Sequence, residues 1–193
     1  MSATQIQCAA ISKFRATTVL LVRRGSAVCI ASDSQVSLNN TVVKAGASKL
    51  RRAAGGKVLV GFAGGAADGL ALFSRLEAKL EEYASNLERA VVELAKDWRT
   101  DRALRQLQAQ MIVTDRDKSF FLNGAGDLMQ PDDDGLLAIG SGGNYALAAA
   151  RALLRHTELS AADVAREAMR IAAEICVFTN DRLTLEELTR DGD

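Results

Sequence analysis

The chain has 193 residues, with 24 basic and 24 acidic side chains and a formal net charge of zero. A neutral chain lacks the positive surface that attracts nucleic acid or acidic membranes, so proteins, peptides or neutral ligands are the favoured partners. This length is typical of one domain and suffices to bury roughly 70% of the unfolded surface.

Cysteine usage and hydropathy favour a cytoplasmic location. Cys8, Cys29 and Cys176 are odd in number and widely spaced, which fits a reducing compartment better than a disulfide framework. No apolar run approaches the roughly 20 residues of a membrane helix. The N-terminal segment contains Lys13 and Arg15 but no acid, a weak feature of transit peptides and not of secretion signals.

The first part of the chain predicts a β-hairpin buried on both faces. Residues 17–23 are a nearly unbroken apolar and β-branched run, residues 24–26 form a turn, and residues 27–31 are a second apolar run. Further strands are predicted at residues 42–43 and 57–61.

Two amphipathic helices are predicted next. Apolar residues recur at helical spacing in two stripes. These are Leu70, Phe73, Leu76, Leu80 and Tyr83 in the first, and Leu87, Val91, Leu94 and Trp98 in the second. Ser85 or Asn86 is available as the N-cap of the second helix, and the two helices are expected to pack as an antiparallel pair.

The second half repeats the order of strands followed by helices. Strands are predicted at residues 110–114, 119–122 and 136–139, a helix at residues 144–155, and a short final strand at residues 183–185. Another helix begins after Ser160, which has Asp163 at the capping-box position. Strands buried on both faces and paired helices predict an α+β fold, a four-layer αββα sandwich with helices outside two central sheets.

The sequence gives little support for catalysis by histidine, for a zinc site or for nucleotide binding. The one histidine, His156, falls at a predicted helix C-terminus, where its cation suits the helix dipole. One histidine and three scattered cysteines do not give the usual zinc spacing. The glycine clusters lack the full GxGxxG and P-loop patterns, and Asp132-Asp133-Asp134-Gly135 is best interpreted as a solvated turn.

Four residues remain as a candidate constellation: Thr17 at the start of a buried strand, Asp33 after the next, Lys49 beyond it, and Gly61 at the end of a third. Each alone is weak evidence, since Thr17 could be structural, Lys49 a surface lysine and Asp33 a turn residue. Composition and periodicity leave the function open at this point.

Longer motifs around these four residues indicate a function, because they resemble motifs of a known family. They extend from Thr17 to about Leu188 and include TTV with RR at residues 23–24, NTVVK at 40–44, KLRR at 49–52, GFAGG at 61–65, VELAKDWRTDR at 92–102 and AIGSGG at 138–143. These motifs resemble those of the N-terminal threonine peptidases, specifically the HslV type and more distantly proteasome β subunits. The resemblance implies the sandwich fold of N-terminal nucleophile hydrolases and divides the chain into a leader, residues 1–16, and a peptidase domain, residues 17–193.

The resemblance assigns roles to five residues. Thr17 would be the nucleophile, and once residues 1–16 are removed its own α-amine would be the base. Lys49 would stay charged, favour the threonine alkoxide and lower the amine pKa, and Asp33 would hold Lys49. Gly61 would supply the oxyanion-hole N–H, and Ser141 would assist near the amine.

The resemblance also implies partners and an ion. A homo-oligomeric double ring of six or seven subunits each is expected, hydrolysing unfolded proteins in its chamber, with an AAA+ unfoldase of the HslU type docking near Lys44 and Arg51. No cofactor is required for the chemistry. A sodium ion would be held by backbone carbonyls at Ala173, Cys176 and Thr179.

Two departures from the family pattern leave alternatives open. The threonine is preceded by 16 residues and by Ala16, where glycine is usual, and Ser32-Asp33-Ser34 replaces Gly-Asp-Gly. The chain could therefore be a divergent HslV or a β-proteobacterial proteasome homologue. A catalytically silent ring protein whose leader blocks Thr17 is the alternative function, and a small-molecule amidase ranks third.

Overall fold

The structure is a computed structural model that describes residues 14–15, 17–102, 104, 107 and 109–188. Within these residues it has twelve strands, a 3₁₀ turn at Ala54–Gly56, and four α-helices. The strands are β1 Phe14–Arg15, β2 Thr18–Arg24, β3 Ala27–Ser32, β4 Val36–Leu38, β5 Thr41–Lys44, β6 Leu50–Ala53, β7 Val58–Gly64, β8 Ala109–Thr114, β9 Ser119–Asn123, β10 Leu128–Met129, β11 Leu136–Gly140 and β12 Thr184–Leu188. The helices are α1 Ala66–Glu82, α2 Leu87–Thr100, α3 Gly143–His156 and α4 Ala161–Ile175.

Two antiparallel sheets form the centre of the molecule. One has the strand order β11-β2-β3-β12, and the other has the order β10-β9-β8-β7-β6. Side chains alternate along each strand, so one face of each sheet meets the other sheet and the opposite face meets helices. In β2, Val19 and Leu21 point between the sheets, whereas Leu20 and Val22 point toward the helices.

Three apolar cores confirm the predicted four layers. The middle core lies between the sheets and includes Val19, Ile30 and Ile112. Helices α1 and α2 cover the five-stranded sheet, and α3 and α4 cover the four-stranded sheet. Strands buried on both faces explain the unbroken apolar runs of the sequence, as in other sheets covered on both sides.

The predicted helix starts are confirmed, but one apolar stripe was partly wrong. Asn86 Oδ1 accepts the Arg89 N–H at 3.1 Å, and Ser160 Oγ accepts the Asp163 N–H at 3.1 Å. In α1 the buried positions are Leu72, Leu76 and Leu80, and Leu70 is 52% exposed. None of the helices in the described ranges combines the length and apolar character needed to span a bilayer.

A third, small sheet was not predicted as such. Its order is β1-β4-β5, with Phe14 opposite Leu38 and Arg15 opposite Ser37. The last two residues before Ala16 thus pair with β4, beside the start of β2. Strand β6, which carries the last three residues of the KLRR motif, was also missed, because the adjacent arginines Arg51 and Arg52 interrupt the alternation of apolar residues on this edge strand.

Candidate active site

Thr17 lies at the beginning of the central hairpin, where the start of β2 meets the end of β11. Its side chain is buried, and its carbonyl accepts the Ser141 N–H at 2.9 Å. Its φ is +122°, a conformation that β-branched residues rarely adopt. Such strain costs on the order of 1–3 kcal/mol and is found where surrounding structure enforces it.

The turn after β11 is built to fit against the Thr17 carbonyl. Gly140 pairs with Thr18 in the sheet and has a φ of +85°. A Cβ on Gly140 would lie 1.9 Å from the Thr17 oxygen, so a side chain there would displace Thr17. The AIGSGG motif is therefore explained by close approach of two backbone segments.

Asp33 and Lys49 form a buried ion pair. Lys49 Nζ lies 2.7 Å from Asp33 Oδ1, and the two side chains are 7% and 0% exposed. Asp33 Oδ1 also accepts the Thr18 N–H at 2.6 Å, and Oδ2 accepts the Gln35 N–H at 2.9 Å. Satisfying a buried carboxylate with three donors offsets much of its desolvation cost.

The Lys49 ammonium is balanced between two opposing effects. Burial lowers its pKa below the usual lysine value, and the charge and hydrogen bond of Asp33 act in the opposite direction. The charged form of Lys49 therefore depends on the Asp33 carboxylate.

Thr17 and Lys49 share a cavity of about 390 Å³. It lies between the start of α1, the segment before β6 and the end of β7. Apart from these two residues and Ser48, Arg51, Gly64, Gly65 and Gly69, its lining is apolar: Val36, Ala47, Phe62, Ala67 and Leu70. The exposed Leu70, which does not join the α1 core, borders this cavity.

Gly61 does not reach the cavity. A Cβ on Gly61 would lie 2.6 Å from Val19 Cγ1 and 3.0 Å from Ile30 Cδ1, inside the middle core. The N–H of Phe62 donates to the carbonyl of Lys49, which lies just before β6, so by strand alternation the N–H of Gly61 points to the opposite neighbour, β8. Glycine at position 61 is explained by sheet packing, and the structure does not support its predicted oxyanion role.

Gly64, three residues further along the same motif, does reach the cavity. It ends β7, has a φ of +117° and lines the cavity together with Thr17. Its N–H points to the same side as that of Phe62 by strand alternation, and β6 begins only at Leu50, opposite Gly61. The position facing Gly64 on that side is therefore loop that borders the cavity.

The other predicted site residues fall into two groups. Ser141 is adjacent to Thr17 through its backbone N–H, and its side chain is exposed. Ala173, Cys176 and Thr179 lie around the C-terminus of α4, where Cys176 caps the helix and its carbonyl accepts the Thr179 N–H at 3.0 Å. Carbonyl oxygens at a helix C-terminus carry partial negative charge and suit a hard cation, and the sodium ion at these three residues stays a prediction.

The residues that the sequence placed outside the candidate site have the structural roles predicted for them. His156 is the last residue of α3, Gly135 donates to the Asp132 carbonyl in a turn at 2.9 Å, and Asp134 pairs with Arg151. Cys29 and Cys176 are free thiols, and burial raises the pKa of Cys29 to about 12. Cys8 and Ala16 lie outside the described residues.

The chain is similar to known proteins of the proteasome family. The proteasome subunit family model matches residues 13–188. The chain is 54% identical over 176 residues to the ATP-dependent protease subunit HslV of Thermosipho africanus, which covers 91% of this chain and 99% of that protein. The crystal structure of eukaryotic HslV from Trypanosoma brucei superposes with a TM-score of 0.86 at 46% identity, covering 90% of this chain and 99% of that one.

More distant structures share the fold. Thiobacillus denitrificans BPH, also solved in complex with epoxomicin, gives TM-scores of 0.68 at 21% identity. In the structure without epoxomicin, the match covers 91% of this chain and 100% of the BPH chain.

The chain belongs to the proteasome family, whose fold is the four-layer sandwich described above. Within that family it is an HslV-type chain, as predicted, and so an enzyme of the threonine-peptidase class. The greater similarity to HslV than to BPH decides between the two relationships that the sequence departures left open.

Proposed function

We propose that this chain is the peptidase subunit of an ATP-dependent protease and hydrolyses peptide bonds with Thr17 as its N-terminal nucleophile. The observation that carries the proposal is the buried Asp33–Lys49 pair, which ends in the same cavity as Thr17. A buried lysine held by a carboxylate beside a strained threonine is a costly arrangement, of the kind expected at active sites.

The chemistry requires that residues 1–16 leave. In the full-length chain the Thr17 nitrogen is an amide and cannot act as a base. Once freed, an α-amine with a pKa of about 8 is neutral in roughly a tenth of molecules near pH 7. That amine can take the proton from Oγ1 as the oxygen attacks the peptide carbonyl, and it then gives the proton to the leaving amine as the C–N bond breaks. Water hydrolyses the resulting acyl-enzyme ester and restores the Thr17 hydroxyl. Lys49 stabilises the developing alkoxide by its charge.

The oxyanion donor is reassigned from Gly61 to Gly64. Gly64 supports this role because it borders the cavity beside Thr17 and its N–H lies where no strand pairs with it. Ser141 keeps the predicted place near the freed amine, since its backbone already holds the Thr17 carbonyl.

The leader supports self-cleavage in two ways. Phe14 and Arg15 lie in an extended strand that pairs with β4, as a bound peptide does when it adds a strand to a sheet edge. The positive φ at Thr17 is a local strain that cleavage of the Ala16–Thr17 bond would relieve. The silent-ring alternative gains no support from the comparisons.

The cavity suggests which peptides are cut. Its walls are mostly apolar, formed by Val36, Ala47, Phe62, Ala67 and Leu70. Burying an apolar side chain contributes about 1.5–3 kcal/mol, so cleavage after medium-sized apolar residues is favoured. Unfolded segments, which expose such residues, are the proposed substrates.

Assembly and partners follow from the HslV relationship. A double ring of six or seven subunits each would confine Thr17 to an internal chamber, in the cytoplasm, and an AAA+ unfoldase of the HslU type would supply unfolded chains. Lys44 is exposed at the end of β5, and Arg51 is partly exposed on β6, so both are accessible in one subunit for the carboxylates of a partner's tail. Sodium at Ala173, Cys176 and Thr179 would stabilise the α4–β12 loop.

Intact mass and turnover test the proposal together. Wild-type protein should lose residues 1–16 and cleave an unfolded protein, whereas Thr17→Ala should keep full length and show no cleavage. Thr17→Ser retains a hydroxyl and should retain processing and some activity. Equal activity of wild type and Thr17→Ala would exclude Thr17 as the nucleophile, and a processed wild type with no peptide hydrolysis would exclude the peptidase function.

A further inference from the structure

Two buried hydroxyl groups meet directly behind the nucleophile. Thr18 Oγ1 and Thr179 Oγ1 are 2.7 Å apart, and Thr18 Oγ1 also accepts the Gly142 N–H at 2.9 Å. Thr18 is 0% and Thr179 is 5% exposed. Neither side chain borders the cavity that Thr17 and Lys49 share, so neither is in a position to touch a substrate bound there.

The contact between the two threonine hydroxyls leaves no space for a side chain at position 142. A Cβ on Gly142 would lie 2.3 Å from Thr18 Oγ1 and 2.5 Å from Thr179 Oγ1. The Gly142 backbone therefore closes directly over both hydroxyls. Three segments that are far apart in the chain meet here: the start of β2, the turn between β11 and α3, and the loop between α4 and β12.

Every polar group of Thr18 is used to fix the site. Its N–H donates to Asp33 Oδ1 at 2.6 Å, and its carbonyl accepts the Asp33 N–H at 3.1 Å. Among the described residues, the hydrogen bond that holds Thr17, the residue before it, runs from the Ser141 N–H to the Thr17 carbonyl. Thr18 is thus the first residue of the domain that is anchored by both backbone and side chain.

Processing makes this anchor more important. While residues 1–16 are attached, pairing of β1 with β4 helps to hold the chain on the N-terminal side of Thr17. After cleavage Thr17 is a chain end, and free ends fray unless they are tied down. The remaining constraint on the nucleophile is then the bond network of Thr17 and Thr18.

We propose that the Thr18–Thr179 hydroxyl bridge is a positioning device that holds the freed nucleophile in register with Lys49 and Ser141. The inference rests on the proposed function of Thr17. Thr18 and Thr179 act through the backbone of Thr17 and are positioning residues. A misplacement of about 1 Å costs up to about 100-fold in rate.

The test replaces each hydroxyl by a methyl of nearly the same size. Thr18→Val and Thr179→Val should lower kcat of the processed enzyme by about 10- to 100-fold, with KM changed less than about threefold. Thr18→Ser and Thr179→Ser, which keep the hydroxyl, should restore kcat to within about threefold. The double valine variant should be no worse than either single, because both remove one bridge.

The chain offers a matched control in a second buried hydroxyl pair. Thr114 Oγ1 and Ser119 Oγ are 2.8 Å apart and are buried at the end of the sandwich where Arg23 binds both. Arg23 is five residues along β2 from Thr18, roughly 17 Å at the usual rise. Thr114→Val should lower the melting temperature as much as the site variants do and leave kcat unchanged.

Amide hydrogen exchange separates the inference from the proposed function. Exchange at Thr18 and Ser141 should be at least about tenfold faster in Thr179→Val than in wild type or Thr114→Val. If kcat and these exchange rates are at wild-type level in both valine variants, the bridge has no positioning role. If processed wild type hydrolyses no peptide, the proposed function fails, and exchange alone still decides whether the bridge holds the chain end.

Discussion

Asp33 binds three donors at once: the Lys49 ammonium and the backbone N–H groups of Thr18 and Gln35. In Asp33→Asn both effects that raise the Lys49 pKa are lost and burial remains, so this pKa should fall further. Because the proposed mechanism requires the charged form of Lys49, the alkaline fall of kcat/KM should move to lower pH. Activity measured from pH 6 to 10 tests this shift, and an unchanged alkaline limb would contradict the role of Asp33.

The free energy of unfolding of Asp33→Asn should rise with pH, whereas its activity should fall at alkaline pH. The folded pKa of Lys49 lies below its unfolded value, so between the two the unfolded chain binds more protons and stability rises with pH. In Asp33→Asn this interval extends to lower pH, since the compensating carboxylate is gone. An unpaired buried charge costs about 3–5 kcal/mol. Denaturant unfolding at several pH values measures this cost, with Asp133→Asn at an exposed position as the control.

Gly140→Ala should be among the most damaging small substitutions. The new Cβ would lie 1.9 Å from the Thr17 oxygen at a residue with φ of +85°, combining a steric clash with a left-handed backbone. We expect a loss of about 3 kcal/mol in the free energy of unfolding and a loss of self-cleavage. Gly46→Ala, where a Cβ meets nothing within 4 Å, is the control. Equal stability of the two variants would show that the turn after β11 can shift.

The candidate site residues with reactive side chains were predictable from the sequence, and those proposed to act through the backbone were not. Thr17, Asp33 and Lys49 have reactive side chains and could be selected from motifs. Gly61 and Gly64 stand in the same GFAGG motif, and only the direction of each N–H separates them. Thr18 was recognised as part of a motif, but its bond to Thr179 spans 161 positions and no local pattern predicts it.

At the scale of elements, side-chain caps were predictable because they depend on local spacing. Asn86 Oδ1 accepts the Arg89 N–H at the start of α2. Asn86→Ala should cost about 1 kcal/mol, and Asn86→Gly only a few tenths. In a domain of this size 1 kcal/mol shifts the melting temperature by about 2–4 °C, which calorimetry resolves. An unchanged melting temperature in Asn86→Ala would show that the amide hydrogen bond does not stabilise this end.

The errors in predicting helices and strands occur in elements that border the cavity. The α1 stripe was assigned with Leu70, but the buried turn uses Leu72, and Leu70 borders the cavity instead. Helical periodicity alone does not distinguish an apolar residue that packs in a core from one that lines a binding site. Strand β6 was missed because charged side chains at the rim of a sheet hide the alternation of apolar residues.

At the scale of the whole molecule the layer order followed from composition and periodicity. Runs buried on both faces and helices in pairs allow few arrangements, and the four-layer sandwich satisfies them. The small sheet that joins β1 to β4 and β5 was not foreseen, since a two-residue strand carries no pattern. This sheet nevertheless connects the leader to the site.

The pairing of the leader with β4 predicts that it competes with substrate. Phe14 and Arg15 lie opposite Leu38 and Ser37, along an edge that an extended peptide could otherwise join as a strand. In a chain made inactive by Thr17→Ala, removal of residues 1–16 should tighten binding of an apolar peptide by at least about tenfold. One or two backbone hydrogen bonds, each contributing about 1 kcal/mol, account for that factor. Fluorescence anisotropy with the two forms measures it, and equal affinities would mean that peptides do not use the β4 edge.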